Sequence, residues 1–82
     1  LIEDNYFDFL YIDAEHSYKA VTEDLKYWYP KLKKNGYIFG DDYYWRETDG
    51  SFSVEKAYQD FFRKHNIKYW CVFKSQVCFK KL

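Results

Sequence analysis

The chain has no methionine, one proline, three glycines and two cysteines. With so little proline and glycine, and no low-complexity run, no segment reads as a linker or as disorder. Two cysteines are too few for a disulfide scaffold and point to a reduced, cytoplasmic setting. No stretch free of charge exceeds six residues, which excludes a bilayer-spanning helix and a secretory signal peptide. Neither sign of charge is in excess: 13 basic and 13 acidic residues cancel. That balance argues against a general polyanion binder or a membrane-surface protein. The first residue is Leu1 and methionine is absent throughout, so the expectation is a fragment or a processed piece of a longer protein.

What the chain has in abundance is aromatic surface: ten tyrosines, eight phenylalanines and three tryptophans in 82 residues. A body this small buries only about 60–65% of the surface its unfolded chain exposes. A lone monomer is therefore short of core, and further cover is expected from elsewhere.

Hydrophobic spacing alternates between two periods. Tyr6 to Ile12 is a short apolar run with one acid, which predicts a strand buried on both faces. From Ser17, a plausible N-cap, Tyr18, Val21, Leu25, Trp28 and Leu32 recur at helical spacing. Lys31, Lys33 and Lys34 are expected in the last turn, with Asn35-Gly36 as the stop and Pro30 as a kink or a restart one turn before the end. Tyr37 to Gly40 predicts a second strand, and residues 43–52 a loop. A second helix is expected from Val54 to His65, capped by Ser53, with Val54, Ala57, Tyr58, Phe61 and Phe62 inward and Asn66 ending it. Ile67–Phe73 and Gln76–Lys80 read as strands around a Lys74-Ser75 turn, which sets Cys71 opposite Cys78. The order is β-α-β-α-β-β, an α/β fold forming half of a doubly wound sheet with a terminal antiparallel hairpin. Nothing in the chain covers the outer edge of the first strand, and exposed apolar edges invite pairing. A neighbouring strand, from missing sequence or from a second copy, is expected along Tyr6–Ile12.

In open α/β sheets ligands bind beyond the carboxyl ends of the strands. Asp13 ends the first strand, and Asp41 and Asp42 end the second. Carboxylates so close repel unless protons or a hard divalent cation such as Mg²⁺ or Ca²⁺ neutralises them. The alternative is that they cap the following helix and loop.

Tyr11-Ile12-Asp13-Ala14-Glu15-His16-Ser17-Tyr18, followed by Asp24-Leu25, Trp28, Pro30-Lys31-Leu32, Gly36 and Gly40-Asp41-Asp42-Tyr43, resembles the C-terminal half of a class I S-adenosylmethionine-dependent methyltransferase. The nearest resemblance is to the small-molecule O-methyltransferase branches, over residues 6–62. The resemblance implies a Rossmann-like sheet, with residues 1–82 as a partial methyltransferase domain and no second domain. It implies O-methylation of a small-molecule acceptor, with Asp13, His16 and Asp42 as catalytic residues. Asp13 and Ala14 are implied at the S-adenosylmethionine site, and Asp13, Asp41 and Asp42 as ligands of Mg²⁺ or another divalent cation. Imidazole as a class titrates near neutrality, which makes His16 a candidate base; its alternative is an exposed residue at a helix start. Tyr43, Tyr44 and Trp45 stand where the acceptor would lie, or else pack back on the core. The family's glycine-rich loop and ribose-binding acid are absent, so the chain alone is expected to bind cofactor poorly and to be inactive.

For Cys71 and Cys78 a cross-strand disulfide is geometrically conceivable, but two buried thiols in a reduced setting are the expectation. Lys68-Tyr69-Trp70 and Phe79-Lys80-Lys81 interleave bases with aromatics, as nucleic-acid-binding sheets do, but zero net charge and their fit as sheet core weigh against nucleic acid. The competing reading is a non-enzymatic α/β module that dimerises or docks through its bare strand edge.

Overall fold

The computed structural model describes residues 2–13 and 15–82. Its elements run β1 (Phe7–Ile12), α1 (Tyr18–Trp28), a 3-10 turn (Tyr29–Lys31), β2 (Leu32–Gly40), α2 (Ser53–His65), β3 (Trp70–Phe73) and β4 (Gln76–Lys80). The four strands form one mixed sheet in the order β1-β2-β4-β3. β1 and β2 are parallel, while β4 is antiparallel to both of its neighbours. The element order matches the expectation, and β1 stands at the sheet edge.

α1 begins where its cap predicts. The Ser17 hydroxyl accepts from the Ala20 N–H at 3.1 Å, with Ser17 itself in extended conformation. The helix ends earlier than the spacing implied. Pro30 has no N–H to give to the carbonyl one turn back, so the chain tightens into the 3-10 turn and leaves as a strand. Leu32 therefore opens β2 instead of closing the helix, and Lys33 and Lys34 lie on the strand. The Tyr29 and Leu32 carbonyls accept from the Lys81 ammonium at 3.1 and 2.8 Å. Burial holds that ammonium below its ordinary pKa.

Asn35-Gly36 is not a helix stop but part of an irregularity within β2. The β1–β2 register jumps between the Phe7–Leu32 and Phe9–Tyr37 pairs. Asn35 takes a left-handed φ of 70° there, and its N–H donates to the Lys81 carbonyl. A Cβ at Gly36 would sit 2.6 Å from the Asp8 carbonyl oxygen, so only glycine lets β1 come this close.

α2 buries all five residues of its expected stripe. Asn66 ends it in the left-handed conformation, φ 54°, and the Ile67 N–H returns to the Phe62 carbonyl at 2.9 Å. At the start, Ser53 is the first helical residue rather than the cap, and Phe52 precedes it without a side-chain bond. The Ser53 hydroxyl is committed elsewhere, as described below. Lys74 and Ser75 both have positive φ, the geometry a two-residue hairpin turn requires. Cys71 pairs with Cys78 as the turn predicted. The expectation that both thiols are buried does not hold: Cys71 is exposed and Cys78 half-buried.

The core lies on one side of the sheet. Leu10, Ile12, Ile38, Val77 and Phe79 face α1 and α2, whose Val21, Leu25, Tyr58 and Phe62 close over them. Strand alternation puts Phe9, Tyr11, Tyr37, Phe39 and Phe73 on the opposite face, and all five are exposed, Phe9 to 66%. β1 is thus not buried on both faces in this chain, because both helices cover the same one.

Tyr58 lies under the sheet, and burial, followed by the charges of Asp24 and Tyr11, pushes its phenol far above the ordinary value of 10.0. A raised folded-state pKa means that the stabilisation is complete below the unfolded value and is lost as pH rises beyond it. Above pH ~10 the unfolded chain releases this proton and the folded chain keeps it, at a cost of about 1.4 kcal/mol per pH unit. Urea midpoints measured between pH 9 and 11 are expected to fall steeply, and less steeply in Tyr58→Phe. Equal slopes would refute the assignment.

Candidate functional site

Ile12 and Gly40 are the last registered pair of the parallel strands. Asp13 and the segment 41–52, which leave them, therefore emerge side by side at the carboxyl end of the sheet. His16 Nε2 and Asp42 Oδ2 meet there at 2.6 Å, 26 residues apart in sequence and each a little over one-third exposed. An ionised carboxylate can only accept, so Nε2 carries the hydrogen, and in the neutral imidazole Nδ1 then keeps a lone pair. Trp45 lies flat on the imidazole, with ring centroids 4.0 Å apart and an interplanar angle of 14°.

Backbone geometry delivers Asp42 to this position. Its φ of 57° is left-handed, a conformation aspartate tolerates better than most residues. Its N–H is held by the Asp41 carboxylate at 2.9 Å. The turn then closes with the Trp45 N–H on the Asp42 carbonyl, also 2.9 Å. Two other elements pin the loop. The Ser75 carbonyl and hydroxyl at the β3–β4 turn accept from the N–H groups of Tyr43 and Tyr44. The Ser53 hydroxyl at the start of α2 lies 2.9 Å from Glu47 Oε2 and 3.3 Å from the His16 carbonyl oxygen.

His16 and Asp42 are thus brought together. Asp13 is exposed just beyond β1, and Asp41 is half-buried. Among the described residues, no group of three histidine, cysteine, aspartate or glutamate side chains could hold a metal ion. One carboxylate oxygen of Asp42 is engaged with His16, and one of Asp41 with the Asp42 N–H. Ala14 lies outside the described residues. Of the three loop aromatics, Tyr44 and Trp45 are at the surface, whereas Tyr43 is only 2% exposed. Its ring packs near Tyr58 and its hydroxyl accepts from Gln59 at 2.7 Å. Tyr43 is a core residue, and the site wall is left to its two neighbours.

One residue of this corner escaped the sequence reading. Tyr11 projects from the bare face of the sheet. Desolvation first, then the charge of Asp41 with those of Asp13 and Asp42 behind it, raises its phenol above the ordinary value. The signal was present in strand alternation, which sets Tyr11 opposite Ile12, but the run read as buried throughout. The stack of Trp45 on His16 had no such signal, because it depends on how a loop folds back.

Among the described residues, no helix is long and apolar enough to cross a membrane. A family model described as a methyltransferase domain matches residues 1–43. The match takes in β1, α1, β2, His16 and the acid pair, and ends at Tyr43. A 39-residue stretch is 44% identical to uncharacterized protein R132 of Acanthamoeba polyphaga mimivirus. It covers 48% of this chain and 18% of that protein, so the chain corresponds to a small part of the relative's length. With 43 of its 82 residues matched, the chain belongs to the methyltransferase-domain family.

Proposed function

We propose that this chain is the C-terminal half of a Rossmann-like, class I S-adenosylmethionine-dependent methyltransferase domain that methylates an oxygen of a small-molecule acceptor in the cytoplasm. The observation that carries the reading is the His16–Asp42 bond at the carboxyl ends of two parallel strands, where open α/β sheets place their ligands. Asp42 fixes the imidazole tautomer, and Nδ1 is then the base that takes the acceptor hydroxyl's proton. Trp45 fixes the ring plane, and Tyr44 and Trp45 offer a surface for a flat acceptor. Asp13 stands at the mouth of the site as a positioning carboxylate.

When bound, S-adenosylmethionine supplies an electrophilic methyl group. The glycines here do not form a cradle for it. Gly36 and Gly40 are packed within the sheet, and Gly50 lies in an open turn. Holding the cofactor is therefore assigned mainly to sequence preceding β1, with Asp13 and Ala14 at its border. The engaged donor set does not suit a divalent cation, and no step is assigned to one.

Methyl transfer from isotope-labelled S-adenosylmethionine, measured on the protein that carries this chain, tests the proposal. Label on the oxygen of phenolic or sugar-like acceptors is the expected result. Label on nitrogen or carbon instead would overturn the O-methyl assignment. No transfer to any acceptor would favour the second reading, a non-enzymatic interaction module. The bare aromatic face of the sheet and the free edge of β1 speak for that reading. In the enzyme, the β1 edge and the Phe9 and Tyr11 side of that face would meet the preceding half of the domain or a second copy, leaving the β3–β4 hairpin open.

A further inference from the structure

We propose that Cys71 and Cys78 form a thiol–disulfide exchange site on the bare face of the sheet, reactive toward small disulfides of the glutathione class. The two residues are directly opposite in the β3–β4 ladder and both are free thiols. They line one open cavity of about 310 Å³ together with Lys68 and Tyr37, and Lys68 brings a positive charge to it. Cys71 is the exposed member and Cys78 the half-buried one. Burial, and then the neighbouring Cys71, push the Cys78 thiol up. The roles follow from this asymmetry, because attack needs access and thiolate character.

The ladder geometry says what kind of disulfide would form. The Lys80 N–H donates to the Tyr69 carbonyl at 3.0 Å, so Tyr69 and Lys80 are a hydrogen-bonded pair. Two residues further toward the turn, Cys71 and Cys78 are such a pair as well. Their Cα separation is then about 5.5 Å, within disulfide range. Cβ atoms in a pair of this kind stand roughly 1 Å farther apart than a relaxed disulfide prefers. β3 can close that gap because it is a four-residue edge strand paired on one side only. The resulting bond carries strain, which places it among labile, reducible disulfides rather than structural staples.

The chemistry closes without further reactants. The Cys71 thiolate attacks one sulfur of the small disulfide, breaking its S–S bond and releasing one small thiol. The Cys78 thiolate then attacks Cys71 Sγ, forming the Cys71–Cys78 bond and releasing the second small thiol. Two cysteine thiols lose two electrons and two protons, and the small disulfide gains both as two thiols. The hairpin this bond would tighten ends in Ser75, which holds the Tyr43 and Tyr44 backbone beside Asp42.

Intact mass and thiol titration of the full chain in oxidised glutathione test the proposal. The expected product has lost two hydrogens and both titratable thiols, stays monomeric in that linkage, and returns to the dithiol in reduced glutathione. Cys78→Ser should stop at a single mixed disulfide, and Cys71→Ser should react roughly tenfold more slowly than Cys78→Ser. Two stable glutathione adducts on the parent chain, unreacted thiols, or a disulfide-linked dimer would each overturn the assignment. None of these readouts depends on methyl transfer.

Discussion

Gly40→Ala is expected to lower the melting temperature by on the order of 10–20 °C, from a loss of about 3 kcal/mol, which is at the upper end for an overpacked core. Gly40 is the last residue of β2, paired with Ile12 on one side and Val77 on the other. A Cβ added there would overlap the Tyr58 hydroxyl and stand 2.8 Å from Tyr58 Cζ. The tyrosine cannot step aside, because it is 1% exposed and packed close to Tyr43, Phe62 and Phe79. Total stability for 82 residues is only about 4–12 kcal/mol, so the loss is a large share of it. Pairing the change with Tyr58→Phe removes the overlapping hydroxyl and should restore part of the stability. A double-mutant cycle by thermal or urea unfolding measures the coupling. Strict additivity would show that the glycine is there for another reason.

His16→Ala is expected to cut methyl transfer by about 10²–10⁴-fold in the protein that carries this chain, the usual range for removing a general base. Asp42→Asn should cost less, because the imidazole survives and loses only the carboxylate that selects its tautomer. Trp45→Leu, which removes a stacked ring and no proton acceptor, should affect acceptor KM more than kcat. Thermal melts belong beside the kinetics, since losing the imidazole also removes the Asp42 bond and the Trp45 stack that hold the loop. A His16→Ala protein that folds normally and transfers methyl groups at the parent rate would remove His16 from the mechanism. The Asp13 and Asp41 end of the site would then be the place to look for the base.

The sequence alone determined what depends on local spacing. Alternation and helical periodicity placed all six main elements in order. Ser17 as a cap, the buried stripe of α2, Asn66 as its end and the Lys74-Ser75 turn are each settled by neighbours within a few residues. The errors lie where distant chain segments compete. The spacing from Tyr18 to Leu32 reads as one long helix, yet Pro30 removes one hydrogen bond and β1 offers residues beyond it a ladder. Ser53 looks like a cap until Glu47 and the His16 carbonyl engage its hydroxyl. Tyr43 looks like part of a binding wall until the room beneath Tyr58 takes its ring. The acid residues themselves were legible as strand-end carboxylates, but their partners were not. Which one meets His16 depends on the left-handed turn at Asp42 and on the distant Ser53 and Ser75 that pin the loop. Likewise, both faces of β1 carry the same apolar pattern, and only the packing of both helices against one side leaves Phe9 and Tyr11 exposed. Periodicity reports how a segment can be buried; what lies against it is decided by contacts far apart in the chain.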